Sequence, residues 1–246
     1  PHVTGPASEG GLGTGASYLD SLGVDLRANT AVARLACDCE RVTGAVLADG
    51  TPLRADEFVL AVPVETAPDF ATPEMVREAP SLGRIDRLDT AWMNGVQFYL
   101  SEDVSLVEGH QVYAGAPWAL TSISQRQFWT GYDFEENSPD DVEGVLSVIA
   151  SDWDTPGVLY DRPARNCTRE EIVEETWTQV KQYLNNGETV LTDDMRVDWF
   201  LDPALVETDD GVENTSPLLI NTVGSLRNRP PADVGIENLT LASDYV

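Results

Sequence analysis

Basic residues are scarce in this chain. Lysine and arginine together number 15 against 42 aspartates and glutamates, the formal net charge is −27, and Lys181 is the only lysine. Binding to nucleic acid needs clustered lysine and arginine side chains that neutralise phosphates. The composition therefore excludes nucleic acid as a partner, and no basic amphipathic helix indicates attachment to an anionic membrane.

The acidic residues are spread between apolar segments and are not gathered in blocks, which is typical of a folded surface and not of an acidic tail. At about 1 M salt the Debye length is only about 3 Å, so the repulsion between such carboxylates is screened. We therefore expect a folded, salt-adapted protein whose stability falls in dilute buffer.

Segments that would direct the chain out of the cytoplasm are also missing. No apolar run approaches the roughly 18 residues of a membrane-spanning helix, and residues 1–6 contain neither a charged nor an apolar signal region. Three cysteines, an odd number, indicate a reducing compartment. We expect a cytoplasmic protein, with peripheral membrane contact left open and no indication of its oligomeric state.

Metal ligands and catalytic histidines are few. His2 and His110 are the only histidines, and His2 stands at what we interpret as a cut end, so we expect neither a Ser-His-Asp triad nor a two-histidine metal site. Cys37 and Cys39 have no second pair for zinc. We predict no metal site, and we consider nucleophilic hydrolysis a poor interpretation.

The periodicity of the remaining sequence predicts a mixture of helices and strands. Residues 17–22 resemble the end of a helix that Gly23 closes, and residues 24–63 resemble a meander with a hairpin at Asp49-Gly50 and a buried strand over 58–63. Prolines interrupt a helical stretch over 64–90. Strands are predicted over 92–100, 145–150, 197–201, 218–222 and 236–242, and an acidic loop over 203–216.

The clearest predicted helix begins at Thr168. Glu171 follows three residues later, which is the pattern of a capping box. Val173, Trp177 and Val180 then recur at helical spacing and indicate one buried stripe.

Two segments are candidates for binding. Residues 11–16, GLGTGA, match a dinucleotide fingerprint, but residues 6–9 cannot form the strand that should precede it, so we do not predict a phosphate loop. Residues 117–129, PWALTSISQRQFW, combine aromatic and polar side chains that are uncharged except for Arg126. Such a mixture suits a neutral apolar ligand, or else the tryptophans fill the core. The sequence leaves both readings open.

Two blocks carry a family resemblance. Residues 19–63, LDSLGVDLRANTAVARLACDCERVTGAVLADGTPLRADEFVLAVP, and residues 236–245, IENLTLASDY, resemble stretches of phytoene desaturases, squalene-type desaturases and flavin amine oxidases. The sequence is thus similar to a superfamily of FAD-dependent oxidoreductases. Ser243 stands where that superfamily has glycine.

The resemblance implies a fold and a set of site residues. The fold is a mixed α/β class, with a partial Rossmann-like FAD domain over 1–66 and 226–246 and a mixed-sheet substrate domain with covering helices over 67–225. We expect the stretch near Val32, the run over 59–63 and the run over 239–242 to form one wall of a nucleotide cleft. The expected FAD contacts are Val32, Val62, Pro63 and Asp244, and the expected substrate contacts are Trp118, Thr121, Gln125, Phe128 and Trp129.

The implied activity is oxidation or reduction of an apolar, isoprenoid or carotenoid-like substrate by the flavin, which carries the chemistry. Family members open with a strand and a G-x-G-x-x-G helix and close with a helix after the last motif. Neither stretch is in this sequence, so we expect an internal piece that is inactive alone and binds FAD weakly or not at all. The alternatives are a flavin amine oxidase, whose site needs an aromatic cage or acids for the cation, and a non-catalytic binding protein.

Overall fold

The computed structural model describes residues 12–246 except 39, 105–106, 130, 132, 134–135, 137 and 140. The described chain folds into two units. Residues 12–26 and 92–215 form the first unit, and residues 27–91 and 216–246 form the second. Each unit has its own apolar core. The predicted division into a FAD domain over 1–66 and 226–246 and a substrate domain over 67–225 stays a prediction.

Helices and strands are both present in the described chain, which confirms the mixed α/β class. The α-helices are α1 (Leu12–Ser21), α2 (Ala67–Phe70), α3 (Pro73–Glu78) and α4 (Arg169–Leu184). The strands are β1 (Val32–Cys37), β2 (Val42–Leu47), β3 (Pro52–Leu53), β4 (Phe58–Leu60), β5 (Thr90–Ala91), β6 (Asn94–Leu100), β7 (Gln111–Val112), β8 (Thr121–Ser124), β9 (Gly144–Ala150), β10 (Arg196–Leu201), β11 (Leu205–Thr208), β12 (Gly211–Asn214), β13 (Leu218–Leu219) and β14 (Leu239–Leu241).

Helix α4 begins as its sequence predicts. The Glu171 backbone amide donates to the Thr168 hydroxyl over 3.2 Å, and the Thr168 amide donates to the Glu171 carboxylate over 2.9 Å. Val173, Trp177 and Val180 are buried on one stripe. The predicted capping box and buried face are therefore confirmed.

A five-stranded antiparallel sheet, in the order β10-β6-β9-β8-β7, organises the first unit. Helix α4 covers one face, where the rings of Phe98 and Trp177 lie 4.9 Å apart. The predicted mixed sheet is corrected in this detail, because each described neighbouring pair of its strands is antiparallel.

Residues 203–216 are not the acidic loop that their composition indicated. They contain a hairpin in which β11 pairs with β12. Leu205 and Val212 are buried in the core of the first unit, while Asp209 and Asp210 form the turn and Gly211 has a φ of 136°. The high acidic content of this segment made the pattern of its two inward-facing apolar residues difficult to recognise in the sequence.

The second unit contains two small sheets. Strands β1, β2 and β3 form an antiparallel meander, and Gly50 with a φ of 89° closes the predicted Asp49-Gly50 hairpin. Strands β4 and β14 pair in parallel, with Leu239 opposite Phe58 and Leu241 opposite Leu60. Both sheets contribute to one core together with α2, α3 and the 3-10 turn Leu82–Arg87.

The expected single wall is wrong, because β1 and β14 lie in separate sheets. The buried Asn238 joins the two sheets. Its Oδ1 accepts from the Val42 amide over 2.8 Å, and its Nδ2 donates to the carbonyls of Val42 and Asp56 over 3.0 and 2.9 Å. A side-chain bridge, and not a continuous ladder, therefore connects the meander to the parallel pair.

The strand predicted over 58–63 is shorter and less buried than expected. Strand β4 ends at Leu60, and Val59 is 67% exposed. The segment 218–222, which was predicted as a strand, contains only the two-residue strand β13. The apolar composition of residues 58–63 indicated a strand. It could not show that one face of this strand would be left in contact with solvent.

Candidate functional site

The expected cofactor residues lie in the second unit and the expected substrate residues in the first. Gly11, His2 and Cys39, which the sequence interpretation also considered, lie outside the described residues, while residues 12–16 belong to α1. Within the described chain, no group of three or more His, Cys, Asp or Glu side chains is arranged to hold a metal ion.

Three of the four expected cofactor residues lie at one edge. Strands β4 and β14 are parallel, so their carboxyl ends meet at the same side of the pair, which is where α/β sheets bind ligands. Residues 61–63 and 242–244 extend from these ends, and we call them the carboxyl edge. Val62 and Pro63 follow β4, Asp244 follows β14, and the Ala242 amide donates to the Leu60 carbonyl over 3.0 Å.

Arg229 adds a cation to the carboxyl edge. Its Nη1 donates to the Asp244 carbonyl over 2.7 Å, and its Nη2 donates to Asn221 Oδ1 over 2.6 Å. The Ser243 hydroxyl donates to Asp244 Oδ1 over 3.2 Å. The role of Arg229 in fixing this edge depends on contacts with residues 221 and 244 and is visible only in three dimensions.

Val32, the fourth expected cofactor residue, lies in the other sheet. It begins β1, it is 37% exposed, and a bulge separates it from Arg34 in the pairing with β2. Among described strands β1 has β2 as its only neighbour. The remaining backbone edge of β1 is thus available for pairing with a ligand or another segment.

The face of the five-stranded sheet that points away from α4 is the candidate substrate surface, and we call it the outer face. Its side chains alternate with the core residues and belong to paired positions of β6, β8, β9 and β10. They are Gly95, Gln97, Tyr99, Thr121, Ile123, Val145, Ser147, Ile149, Asp198 and Phe200. Of these ten positions only Asp198 carries a formal charge, in a protein whose net charge is −27.

Two expected substrate residues belong to the outer face. Thr121 stands opposite Ile149 on β9. Gln125 follows β8, and its Nε2 donates to Ser147 Oγ over 3.0 Å. Both polar groups are uncharged, and burial followed by the nearby Asp198 carboxylate raises the pKa of Tyr99, so this phenol also stays neutral.

Three expected aromatic residues have different positions. Phe128 is 51% exposed at the end of the 3-10 turn Arg126–Phe128, and Trp129 follows it half-buried. Trp118 is fully buried in the core, where its indole Nε1 donates to the Thr155 carbonyl over 3.1 Å. Of the two roles left open for Trp118, contact with a ligand or filling of the core, the structure shows the second.

A groove on the outer face was not found from the sequence. It has a volume of about 240 Å³. Its side-chain walls are Gln97, Ser147, Ile149, Phe200, Asp202 and Pro203, with the backbone of Gly95 exposed in it. The signal that could have indicated it is a glycine inside an otherwise alternating strand, NGVQFYL.

The pattern of one protein family matches nearly the whole chain. It is described as flavin containing amine oxidoreductase, and the match covers residues 3–246. Among curated proteins none matches this sequence.

Solved structures with similar folds include an oxidoreductase and a putrescine oxidase. An oxidoreductase from Methanosarcina mazei aligns with a TM-score of 0.57 at 12% identity, over 97% of this chain and 49% of that one. Wild-type putrescine oxidase bound to putrescine aligns with a TM-score of 0.56 at 14% identity, over 91% of this chain and 44% of that one. The chain thus spans about half the length of these structures, and at such identities the likeness shows the fold.

Proposed function

This chain belongs to the family of flavin-containing amine oxidoreductases, and from that premise we propose that it provides the substrate surface and part of the cofactor site of a FAD-dependent oxidoreductase. The proposed substrate is apolar and uncharged, of the isoprenoid or carotenoid-like class. The observation that carries this choice is the near absence of charge on the outer face.

The outer face supports a neutral substrate because of what its central rows contain. Gly95, Ile149 and Thr121 form one row, and Phe200, Gln97, Ser147 and Ile123 form the next. A protonated amine would need a carboxylate or a cage of aromatic rings to replace its hydration. These rows offer one phenyl ring, aliphatic side chains and uncharged hydrogen-bonding groups.

Oxidation of an amine is the second candidate function. It is favoured by two acids of β10 and its carboxyl end, Asp198 and Asp202, beside Tyr99 and Phe200. Asp202 is already engaged, because its Oδ2 accepts from Asn94 Nδ2 over 2.8 Å and its Oδ1 from the Ala204 amide over 2.9 Å. We therefore place the amine second.

The second unit carries groups that fit a flavin nucleotide. Pro63 and Asp244 are exposed at the carboxyl edge, the Arg229 guanidinium supplies positive charge for phosphate, and β1 offers a backbone edge at Val32. When bound, the flavin would exchange a hydride or equivalent electrons with the substrate. We propose that the 246-residue chain alone binds FAD weakly, because its acidic surface opposes the pyrophosphate. Fluorescence titration with FAD measures this directly.

Anaerobic flavin reduction tests the proposed function. The whole protein is purified from its own cells together with any flavin that it binds. It is then freed of oxygen and mixed either with phytoene in detergent or with putrescine. We expect the visible absorption of oxidised flavin to bleach with the hydrocarbon and to persist with the diamine. Bleaching by putrescine alone would establish the amine oxidase instead, and a preparation without flavin would contradict both.

We also propose a cytoplasmic location with peripheral membrane contact during substrate uptake. In the part of the chain that the structure describes, no helix combines the length and the apolar character required to cross a bilayer. Cell fractionation with a salt wash of the membranes tests this proposal.

A further inference from the structure

Gly95 occupies a position where neither the backbone nor the packing requires glycine. It lies inside β6, which has β10 on one side and β9 on the other. Its φ is not in the left-handed region, and a Cβ built there would meet nothing closer than the Val148 carbonyl oxygen at 3.5 Å. Glycine weakens the interior of a strand and often marks a place where a ligand or another backbone approaches closely. The described fold supplies no neighbour that fills this place.

The missing side chain leaves the groove defined above. Ile149 stands opposite the bare backbone of Gly95, Phe200 and Pro203 also line the groove, and Gln97 and Ser147 provide uncharged polar groups. Phe200 is 50% exposed, which leaves an apolar wall in contact with solvent. The volume of about 240 Å³ is below the roughly 300–1,000 Å³ of sites that enclose a whole ligand. The groove therefore suits one segment of a longer molecule.

The charge around the groove limits what that segment can be. Asp202 is the single formally charged residue that lines it, and both of its carboxylate oxygens already accept hydrogen bonds, from Asn94 and Ala204. A carboxylate held in this way is satisfied without a ligand cation. The remaining walls are apolar or neutral.

We propose that Gly95 determines substrate specificity: the groove over its backbone receives a narrow, uncharged hydrocarbon segment of the prenyl type, which a side chain at position 95 would exclude. This inference rests on the proposed function for its catalytic meaning. Binding in the groove, however, depends on residues of the first unit alone.

The test measures binding of geraniol, a ten-carbon prenyl alcohol, and of geranylamine, which has the same chain and an ammonium group. Both are titrated calorimetrically into the 246-residue chain and into three variants. Gly95→Ala and Gly95→Val fill the groove in two steps, and Val206→Leu adds bulk on the exposed surface of β11, outside the groove. Valine suits a strand, so Gly95→Val should keep the fold, and its melting curve checks this.

We expect geraniol to bind the unaltered chain more tightly than geranylamine. Gly95→Val should weaken geraniol binding about tenfold or more, Gly95→Ala by a smaller factor, and Val206→Leu by less than about twofold. Unchanged geraniol affinity in a folded Gly95→Val variant would overturn the inference. Tighter binding of geranylamine, or no binding of geraniol to the unaltered chain, would overturn it as well.

Flavin reduction in the protein as purified from cells separates this inference from the proposed function. If geraniol binds and Gly95→Val abolishes that binding while no flavin is present, the groove stands and the oxidoreductase proposal fails. If phytoene reduces the flavin equally well in Gly95→Val, the oxidoreductase proposal stands and the role of Gly95 fails.

Discussion

At the scale of single residues, the buried Asn238 connects the two small sheets of the second unit. It links the meander to the start of β14 with three hydrogen bonds to backbone groups, and Arg41 adds an ion pair with Glu237 and a hydrogen bond to the Asp56 carbonyl. Removing a buried partner leaves the opposite groups desolvated and unsatisfied. Asn238 is therefore the buried link between the two small sheets, beside the more exposed contacts of Arg41.

We predict that Asn238→Ala lowers the free energy of unfolding by about 2–4 kcal/mol, since the buried amide and carbonyl of Val42 lose their partner. Urea denaturation followed by circular dichroism measures the change. The same substitution at the exposed Asn186 serves as the control and should cost less than about 0.5 kcal/mol. Equal midpoints for the two variants would contradict the role assigned to Asn238.

Asp193 provides a residue-scale prediction of pH dependence. Hydrogen bonds from Lys181 and then from Trp177 hold the pKa of this carboxyl below its ordinary value of 3.8. A carboxyl with a lowered pKa contributes stability above its unfolded pKa, and the contribution is lost as the pH falls through the folded pKa. Because acid also relieves the repulsion among many other carboxylates, only a difference between variants isolates this effect.

We predict that Asp193→Asn destabilises the protein near neutral pH and that the gap to the unaltered protein narrows as the pH falls below 3.8. Melting temperatures of both proteins between neutral pH and pH about 2.5 test this. Glu188→Gln, at an exposed position before the same turn, controls for the loss of one charge. A gap that stays constant across the range would contradict the pH argument.

At the scale of elements, Glu175 fastens the loop before α4 to that helix. The buried carboxylate accepts from the amides of Val158, Leu159 and Tyr160 over 2.6, 2.8 and 3.1 Å, and from Gln179 over 2.8 Å. A Cβ at Gly157 would lie 2.4 Å from the Glu175 carboxyl carbon. Position 157 therefore needs glycine, because any side chain there would collide with the carboxylate that accepts hydrogen bonds from the three loop amides.

We predict that Glu175→Gln loosens residues 156–163, because an amide has one acceptor oxygen where the carboxylate has two. Limited proteolysis should cut this loop faster, and the unfolding free energy should fall by about 2–3 kcal/mol. Glu170→Gln makes the same change at an exposed site of the same helix and should leave the cleavage rate as it was. A protease-resistant Glu175→Gln variant would refute the role of this anchor.

The elements also show what the sequence could and could not predict. The capping box at Thr168 and the Asp49-Gly50 hairpin depend on neighbouring residues, and both were predicted correctly. The pairing of β1, and the burial of Trp118 away from the outer face, depend on contacts distant in sequence. Local pattern does not contain such contacts, so the single wall was wrong and the Gly95 groove went unnoticed.

At the scale of the whole molecule, the acidic surface is the dominant property. In the described part of the chain, ion pairs involve seven of the 15 basic residues, and the basic residues are far outnumbered by the 42 acidic side chains. Mutual repulsion among them opposes folding and weakens as ionic strength rises. In so acidic a protein, an outer face with a single charged position among ten is an unusual feature.

We predict that the melting temperature rises steeply with potassium chloride. Between dilute buffer and about 2 M salt, screening worth a few kcal/mol would raise it by roughly 5–10 °C for a protein of this size. Sucrose at matched osmolality is the control, because it favours the folded state by exclusion from the surface without screening charge. If sucrose reproduced the whole rise, or if potassium chloride produced none, the carboxylates would not set the stability of this protein. The rise should be steepest at low ionic strength, where each increment of salt shortens the Debye length most, and that curvature distinguishes screening from a general salting-out effect.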